Sequence, residues 1–240
     1  MKKLMFAAAA IAAGVAMADV TSANVVGYNT TENEAEDTMV FVGASFENVG
    51  EGEFIPLSAI QCVEGFEDGD QFQTSFMNEK GIVNFKVYEY WDGDGWADLD
   101  EMEVVGDDVG FTPGQAAWFI SITPKKLTFA GGVIKENFTH TFTEAMTIAV
   151  SAFPIPFCPN SENVSWGCND GDQIQTSFMN EKGIVNFKVY EYWDGDGWAD
   201  LDEMDVIASD CVVATPGKGF WFITSNPENV TFSEVSPLAE

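Results

Sequence analysis

I-V-N-F-K-V-Y-E-Y-W-D-G-D-G-W-A-D-L-D-E-M, residues Ile82–Met102, reads as a strand, a tight turn and a returning strand. Ile82–Trp91 is rich in β-branched and aromatic residues, the types that fit a pleated surface. Alternation places Val83, Phe85, Val87 and Trp91 on one face and Asn84, Lys86, Tyr88 and Tyr90 on the other. Glu89 falls among the first set and is expected near an edge. Asp92–Gly95 (D-G-D-G) supplies the turn, and Trp96–Val105 can return as a strand. Working outward, Gln71–Phe76 is a strand joined to Ile82 by M-N-E-K-G, with Gly81 available for a left-handed position. Thr112-Pro113-Gly114 has Pro and Gly where a type II turn needs them, and Ala116–Ile122 and Leu127–Phe129 complete the set. No sustained 3.6-residue apolar period occurs beyond the N-terminus. Strands about ten residues apart, with turn signals between them, predict an all-β fold of sandwich or barrel-like type.

The whole unit is written twice. Gln73–Met102 matches Gln175–Met204 at every position, and D-G-D-Q precedes both copies at Asp68–Gln71 and Asp170–Gln173. After one inserted residue, T-P-G-Q-A-A-W-F-I (Thr112–Ile120) realigns with T-P-G-K-G-F-W-F-I (Thr215–Ile223). Met39–Phe46 pairs loosely with Met146–Phe153. A period of about 100 residues reads as one domain duplicated. The expected organisation is a signal peptide over 1–18, a first β domain over 19–135 and its duplicate over 136–240, with the boundary near Gly131–Asn137.

The signal peptide is read from Lys2 and Lys3, the apolar run Leu4–Val15 and the small residues of Ala16-Met17-Ala18, with cleavage before Asp19. That run is shorter than the roughly 20 residues a spanning helix needs. The mature chain is therefore expected to lack a membrane span and to be secreted or at the cell surface, extracellular or periplasmic. The chain has 39 acids against 10 lysines, contains no arginine and carries a formal charge of −29. Such a charge excludes nucleic acid and anionic membranes as partners and favours solubility or affinity for cations. Disorder is excluded by 20 Phe, 7 Trp and 5 Tyr, far more apolar material than an acidic disordered chain carries. Cys62, Cys158, Cys168 and Cys211 allow three disulfide connectivities. A local Cys158–Cys168 bridge would leave Cys62 to meet Cys211.

The opening S-A-N-V-V-G-Y (Ser22–Tyr28), the hairpins Trp91–Trp96 and Trp193–Trp198, and the P-G-K-G-F-W-F-I strand entry at Pro216–Ile223 resemble a set of secreted bacterial β-repeat proteins of uncharacterised function. The first copy departs from that pattern with P-G-Q-A-A-W-F-I. The resemblance covers most of the mature chain and implies an exported β protein. It carries no catalytic residues to transfer.

Three chemistries follow from the residues. With Gly95 at the sixth position of a calcium loop, Asp92, Asp94, Trp96 (through its carbonyl), Asp98 and Glu101 fall at ligand positions, and Asp194, Asp196, Trp198, Asp200 and Glu203 repeat them. Tyr90 and Tyr192 stand where the first ligand should be, and the flanks read as strands, so a solvated hairpin turn is the competing reading. Tyr88, Tyr90 and Trp96, with Tyr190, Tyr192 and Trp198, can line an aromatic face suited to sugar rings, or can fill a core. Catalysis is not expected: His140 is the one histidine, it lies outside the identical segment, and no G-x-S-x-G elbow is present. The expected function is a non-catalytic structural or adhesive role, with surface proteins or polysaccharide as partners. A calcium-assisted carbohydrate-binding protein is the alternative, with calcium as its only cofactor.

Overall fold

The strand–turn–strand unit that opens the sequence forms as read and recruits neighbours on both sides. In this computed structural model the chain is described over residues 26–33, 38–50, 52–78, 80–180, 182, 184–227 and 230–238. The expected signal peptide (Met1–Ala18) and the Ser22–Val25 part of S-A-N-V-V-G-Y lie outside these residues. The first half contributes β1 (Val26–Asn33), β2 (Thr38–Gly43), β3 (Ile55–Pro56), β4 (Gln61–Cys62), β5 (Gln71–Met77), β6 (Val83–Trp91), β7 (Gly95–Asp98), β8 (Glu103–Val104), β9 (Gly110–Phe111), β10 (Ala116–Ser121) and β11 (Lys125–Gly132). The second half contributes β12 (Phe138–Phe142), β13 (Met146–Ala149), β14 (Val164–Trp166), β15 (Gln173–Met179), β16 (Val185–Trp193), β17 (Gly197–Asp200), β18 (Asp205–Val206), β19 (Phe220–Ile223) and β20 (Val230–Glu234). The fold is all-β.

Each half pairs a six-stranded sheet with a three-stranded one. The order β2-β10-β5-β6-β7-β8 in the first half matches β13-β19-β15-β16-β17-β18 in the second, and β1-β11-β4 matches β12-β20-β14. The short β3–β9 pair has a single bridge, Phe157–Ala214, as its counterpart. The turns form where the residues ask for them. Gly81 has φ +70°, and Gly93 and Gly95 have φ +86° and +98°. The Gln115 and Lys218 N–H groups close the two T-P-G turns onto the Thr112 and Thr215 carbonyls at 3.0 Å.

The two sheets of each half enclose an aromatic core. In the first, Phe72 lies 4.8 Å from Trp96 and 5.0 Å from Phe119, ring centre to ring centre. In the second, Trp166 stacks on Phe232 at 4.4 Å and Phe142 on Phe222 at 4.4 Å. Aromatic pairs at these separations are worth more than their buried area alone. The alternation in β6 is explained by what lies on each side. Tyr88 and Tyr90 pack into the sandwich, while Phe85 faces outward onto Trp221 of the other half at 6.3 Å. One face of the six-stranded sheet is therefore covered by its own small sheet, and part of the other packs against the neighbouring half.

That outer contact is a seam with its own core of Phe41, Ala116, Trp118, Ile148 and Val150, flanked by Met39 and Trp221. Trp118 lies 3.8 Å from Phe41, 5.5 Å from Trp221 and 5.8 Å from Phe187. The polar contacts across the seam are reciprocal. The Gly43 N–H donates to the Gly217 carbonyl at 3.1 Å, and the Val150 N–H donates to the Gly114 carbonyl at 3.0 Å. Val42 bridges to Lys218, and Gln115 bridges to Ala149. Each T-P-G turn is covered by the opposite half: a β-carbon on Gly114 would come within 1.7 Å of His140 Cε1, and one on Gly217 within 2.5 Å of Asn29 Nδ2. With φ of +81° and +79°, these two positions admit glycine on both steric and conformational grounds.

The cysteine pairing differs from the expectation. Cys158 is joined to Cys211, with Cα atoms 5.4 Å apart, and Cys62 and Cys168 are free. The Phe157–Ala214 bridge draws the Cys158 and Cys211 segments together. Cys168 instead follows β14, next to the second core, where burial raises its thiol pKa.

Candidate functional site

The acidic residues of the W-D-G-D-G-W hairpin do not gather. Residues 95–98 are a strand paired with Tyr88–Trp91, so the chain runs straight where a calcium loop would wrap around its ion. Asp92 and Asp94 are exposed on the turn. Asp98 is buried and ion-paired, with Lys86 Nζ 2.5 Å from its Oδ2 and the Asp100 N–H donating to its Oδ1 at 2.9 Å. Burial works against this carboxylate, but the hydrogen bonds from Lys86 and the Asp100 N–H outweigh it and hold its pKa below the usual range. Asp200 repeats the arrangement, with Lys188 Nζ at 2.6 Å. The Trp96 carbonyl, the expected seventh-position ligand, accepts the Val105 N–H at 2.8 Å, and the Trp198 carbonyl accepts Ile207 N–H at 3.0 Å and Asn160 Nδ2 at 2.9 Å. Glu101 and Glu203 are exposed on the following turn. Among the described residues, no group of three or more His, Cys, Asp or Glu side chains is placed to hold a metal.

The expected aromatic platform is also rearranged. Trp96 and Trp198 are 4% and 1% exposed, so neither offers a face to a ligand. The reason is the pleat: they sit on the inner face of β7 and β17, opposite Tyr90 and Tyr192. Tyr90 meets Trp96 edge-on at 5.4 Å and Tyr192 meets Trp198 at 5.6 Å, both against the cores. Tyr88 and Tyr190 stand one step further along, at the open end of each sandwich, where burial raises their phenol pKa values.

At that open end each half has a cleft that the other half helps to close. The first, of about 310 Å³, is lined by Thr74, Ser75, Tyr88 and Gln115, with Thr147 and Ile148 from the second half. The second, of about 350 Å³, is lined by Thr176, Ser177, Phe178, Tyr190, Lys188 and Lys218, with Val40 and Phe41 from the first half. Both fall in the size range of small-molecule sites, and both lie at a junction between substructures, a common place for such sites. The sequence carried a partial signal for the second in Lys188, a cation set in an apolar strand. Lys218, the K of T-P-G-K, is the residue that sequence reasoning missed; its replacement of Gln115 in the second copy was the available signal.

His140 and Glu234 are titratable groups held in the interior away from the hairpins. His140 lies between Phe138 at 4.6 Å and Phe232 at 5.0 Å with its Nε2 unpartnered, and burial lowers its pKa to about 4. Glu234 is 4% exposed, accepts from Ser151 Oγ at 2.5 Å and from the Ala152 N–H at 2.8 Å, and is raised to about 7 by burial. His140 packs over Gly114 at the seam. No protein-family model, no curated protein and no solved structure matches this chain.

Proposed function

We propose that this is an exported, non-catalytic protein with a structural or adhesive role at the cell surface or outside the cell. The observation that carries the reading is the seam. Two sandwiches lie face to face over Phe41, Trp118, Ile148 and Trp221, with reciprocal backbone hydrogen bonds at either side. Such packing suits a part that must hold its shape and present surface, and the acidic exterior suits life in solution outside the cell. The one histidine is engaged in packing, which supports the non-catalytic part of the reading.

The carbohydrate reading finds support at a different place from the one read in the sequence. The clefts at the open ends combine hydroxyl groups with an aromatic or aliphatic wall, whereas the hairpin acids are dispersed, with Asp98 and Asp200 committed to lysines and the others exposed on turns. The test is attachment. Purified protein added back to cells of the producing organism should be retained on the cells or their extracellular matrix, and cells lacking it should show weakened surface cohesion or adhesion. Protein that stays wholly in the supernatant, with unaltered mutant cells, would refute the proposal.

A further inference from the structure

The two open-end clefts share a threonine, a serine and a tyrosine (Thr74, Ser75 and Tyr88; Thr176, Ser177 and Tyr190), but the second adds Phe178, Lys188 and Lys218, and those additions point to a ligand class. β15 and β16 place Thr176 opposite Lys188 and Ile174 opposite Tyr190. Moving outward from the core, the inner face therefore runs from Ile174 and Tyr190, through Thr176 and Lys188, to Phe178. The Lys188 ammonium is committed to Asp200 at 2.6 Å and lies 5.6 Å from the centre of the Tyr190 ring. Phe178 is 48% exposed, an aromatic edge left in water. Across the cleft, Lys218 is exposed and forms no ion pair among the described residues. In the first cleft the corresponding position is Gln115, whose Oε1 accepts the Thr112 N–H at 3.1 Å.

A free ammonium beside hydroxyl groups and a half-exposed ring is a distinctive combination in a chain of net charge −29. We propose that the second cleft binds a carboxylated sugar, a uronic-acid unit of an extracellular polysaccharide. Lys218 takes the carboxylate, Thr176 and Ser177 meet ring hydroxyls, and Phe178 covers the C–H face of the ring. The cleft volume of about 350 Å³ accommodates one such unit. Peptide recognition is less well matched, since peptides in β proteins are usually held by backbone pairing at a sheet edge. The protein's own charge does not forbid a short uronate, because at physiological salt charges beyond about 8 Å are largely screened. The first cleft, with Gln115 in place of Lys218 and without counterparts of Phe178 and Lys188 in its lining, is the internal comparison.

This inference rests on the adhesive reading and names its target. The test is calorimetric titration of the full mature chain with a galacturonate trisaccharide, using a neutral glucose trisaccharide for comparison. One site per chain is expected, with preference for the uronate. Lys218→Gln restores the residue already tolerated at 115 and should weaken uronate binding about 10- to 100-fold, leaving the melting temperature unchanged. Gln115→Lys should add a second, weaker uronate site, since the first cleft lacks the ring that Phe178 supplies in the second. Thr176→Val should weaken binding several-fold without emptying the cleft. Absence of uronate binding by the intact protein, or affinity and stoichiometry unmoved by Lys218→Gln and Gln115→Lys, overturns the inference. Cell retention is read separately with the same variants: retention that survives Lys218→Gln removes this cleft and leaves adhesion standing, whereas loss of retention by the unmodified protein removes adhesion itself.

Discussion

Trp118→Ala is the substitution that reports most fully on how the two halves are joined. Trp118 is 3% exposed and touches Phe41 of its own half and Trp221 and Phe187 of the other. A buried tryptophan removes about 200 Å² from water, which at about 25 cal/mol per Å² is worth about 5 kcal/mol as an upper bound. Measured Trp→Ala costs in cores run about 3–5 kcal/mol, so about 4 kcal/mol is expected. With a guanidinium m-value of about 5 kcal/mol per molar for a chain of this size, the midpoint should fall by about 0.8 M. The loss is shared, since removing the ring strips contacts from both sides of the seam. The wild type is expected to unfold in one transition and the variant in two, followed by far-ultraviolet circular dichroism and tryptophan fluorescence. Tyr28→Ala, at a residue 75% exposed, is the matched control and should leave the midpoint unchanged. A shift under about 0.2 M for Trp118→Ala, with one transition retained, would refute the reasoning, because it would mean that the ring contributes no more than a surface residue.

Three further outcomes are expected. His140 is held neutral, with its pKa lowered from 6.5 to about 4, so the unfolded chain binds the extra proton and stability falls as pH drops from 6.5 toward 4, by about 3 kcal/mol in all. Glu234 is raised from 4.5 to about 7, so the native state holds the extra proton and stability falls as pH rises through that window, by about 3 kcal/mol. The two slopes oppose between pH 4.5 and 6.5: urea midpoints should be nearly flat for the wild type, should fall with rising pH in His140→Asn, and should rise with pH in Glu234→Gln. Replacing Cys158 and Cys211 by serine opens a loop of 53 residues and should cost about 4 kcal/mol on the chain-entropy account, read as a lowered melting temperature that reductant reproduces in the wild type. Asp98→Ala should cost about 1–3 kcal/mol at neutral pH, discounted because the Lys86 side chain is 29% exposed, and the difference from wild type should vanish as acid protonates Asp98 below its ordinary range.

The strands and turns were legible because short-range chemistry specifies them. Gly81, Gly93, Gly95 and the T-P-G turns adopt the conformations that their residues demand, and β6 runs over Val83–Trp91, within the stretch read as a strand. The ligand residues were less legible, for two physical reasons. Alternation gives two faces for a strand but does not say which one faces the core; with aromatic residues on both sides of β6, the tyrosine face looked available and proved to be the inner one. Spacing along the chain likewise says nothing of where a carboxylate points. Asp98 and Asp200 fit a loop pattern by count, yet the strand turns them inward onto Lys86 and Lys188. The seam was outside the reach of the sequence altogether. Nothing in the sequence marks Phe41, Trp118 and Trp221 as partners, and only the fold shows them packed together between the halves. The disulfide followed the same rule, since a long-range bridge brings Cys158 to Cys211 across 53 residues.

The most direct test of the face-to-face account is native-state hydrogen exchange at the amides that cross the seam. The Gly43, Val150 and Gly219 N–H groups donate to the Gly217, Gly114 and Phe41 carbonyls at 3.1, 3.0 and 3.2 Å. If the halves form one cooperative unit, these three amides exchange only through global unfolding, as slowly as core amides of Phe119 and Phe222. Exchange at these three amides as fast as at the hairpin tips around Asn78 and Asn180, with the cores still protected, would contradict the account.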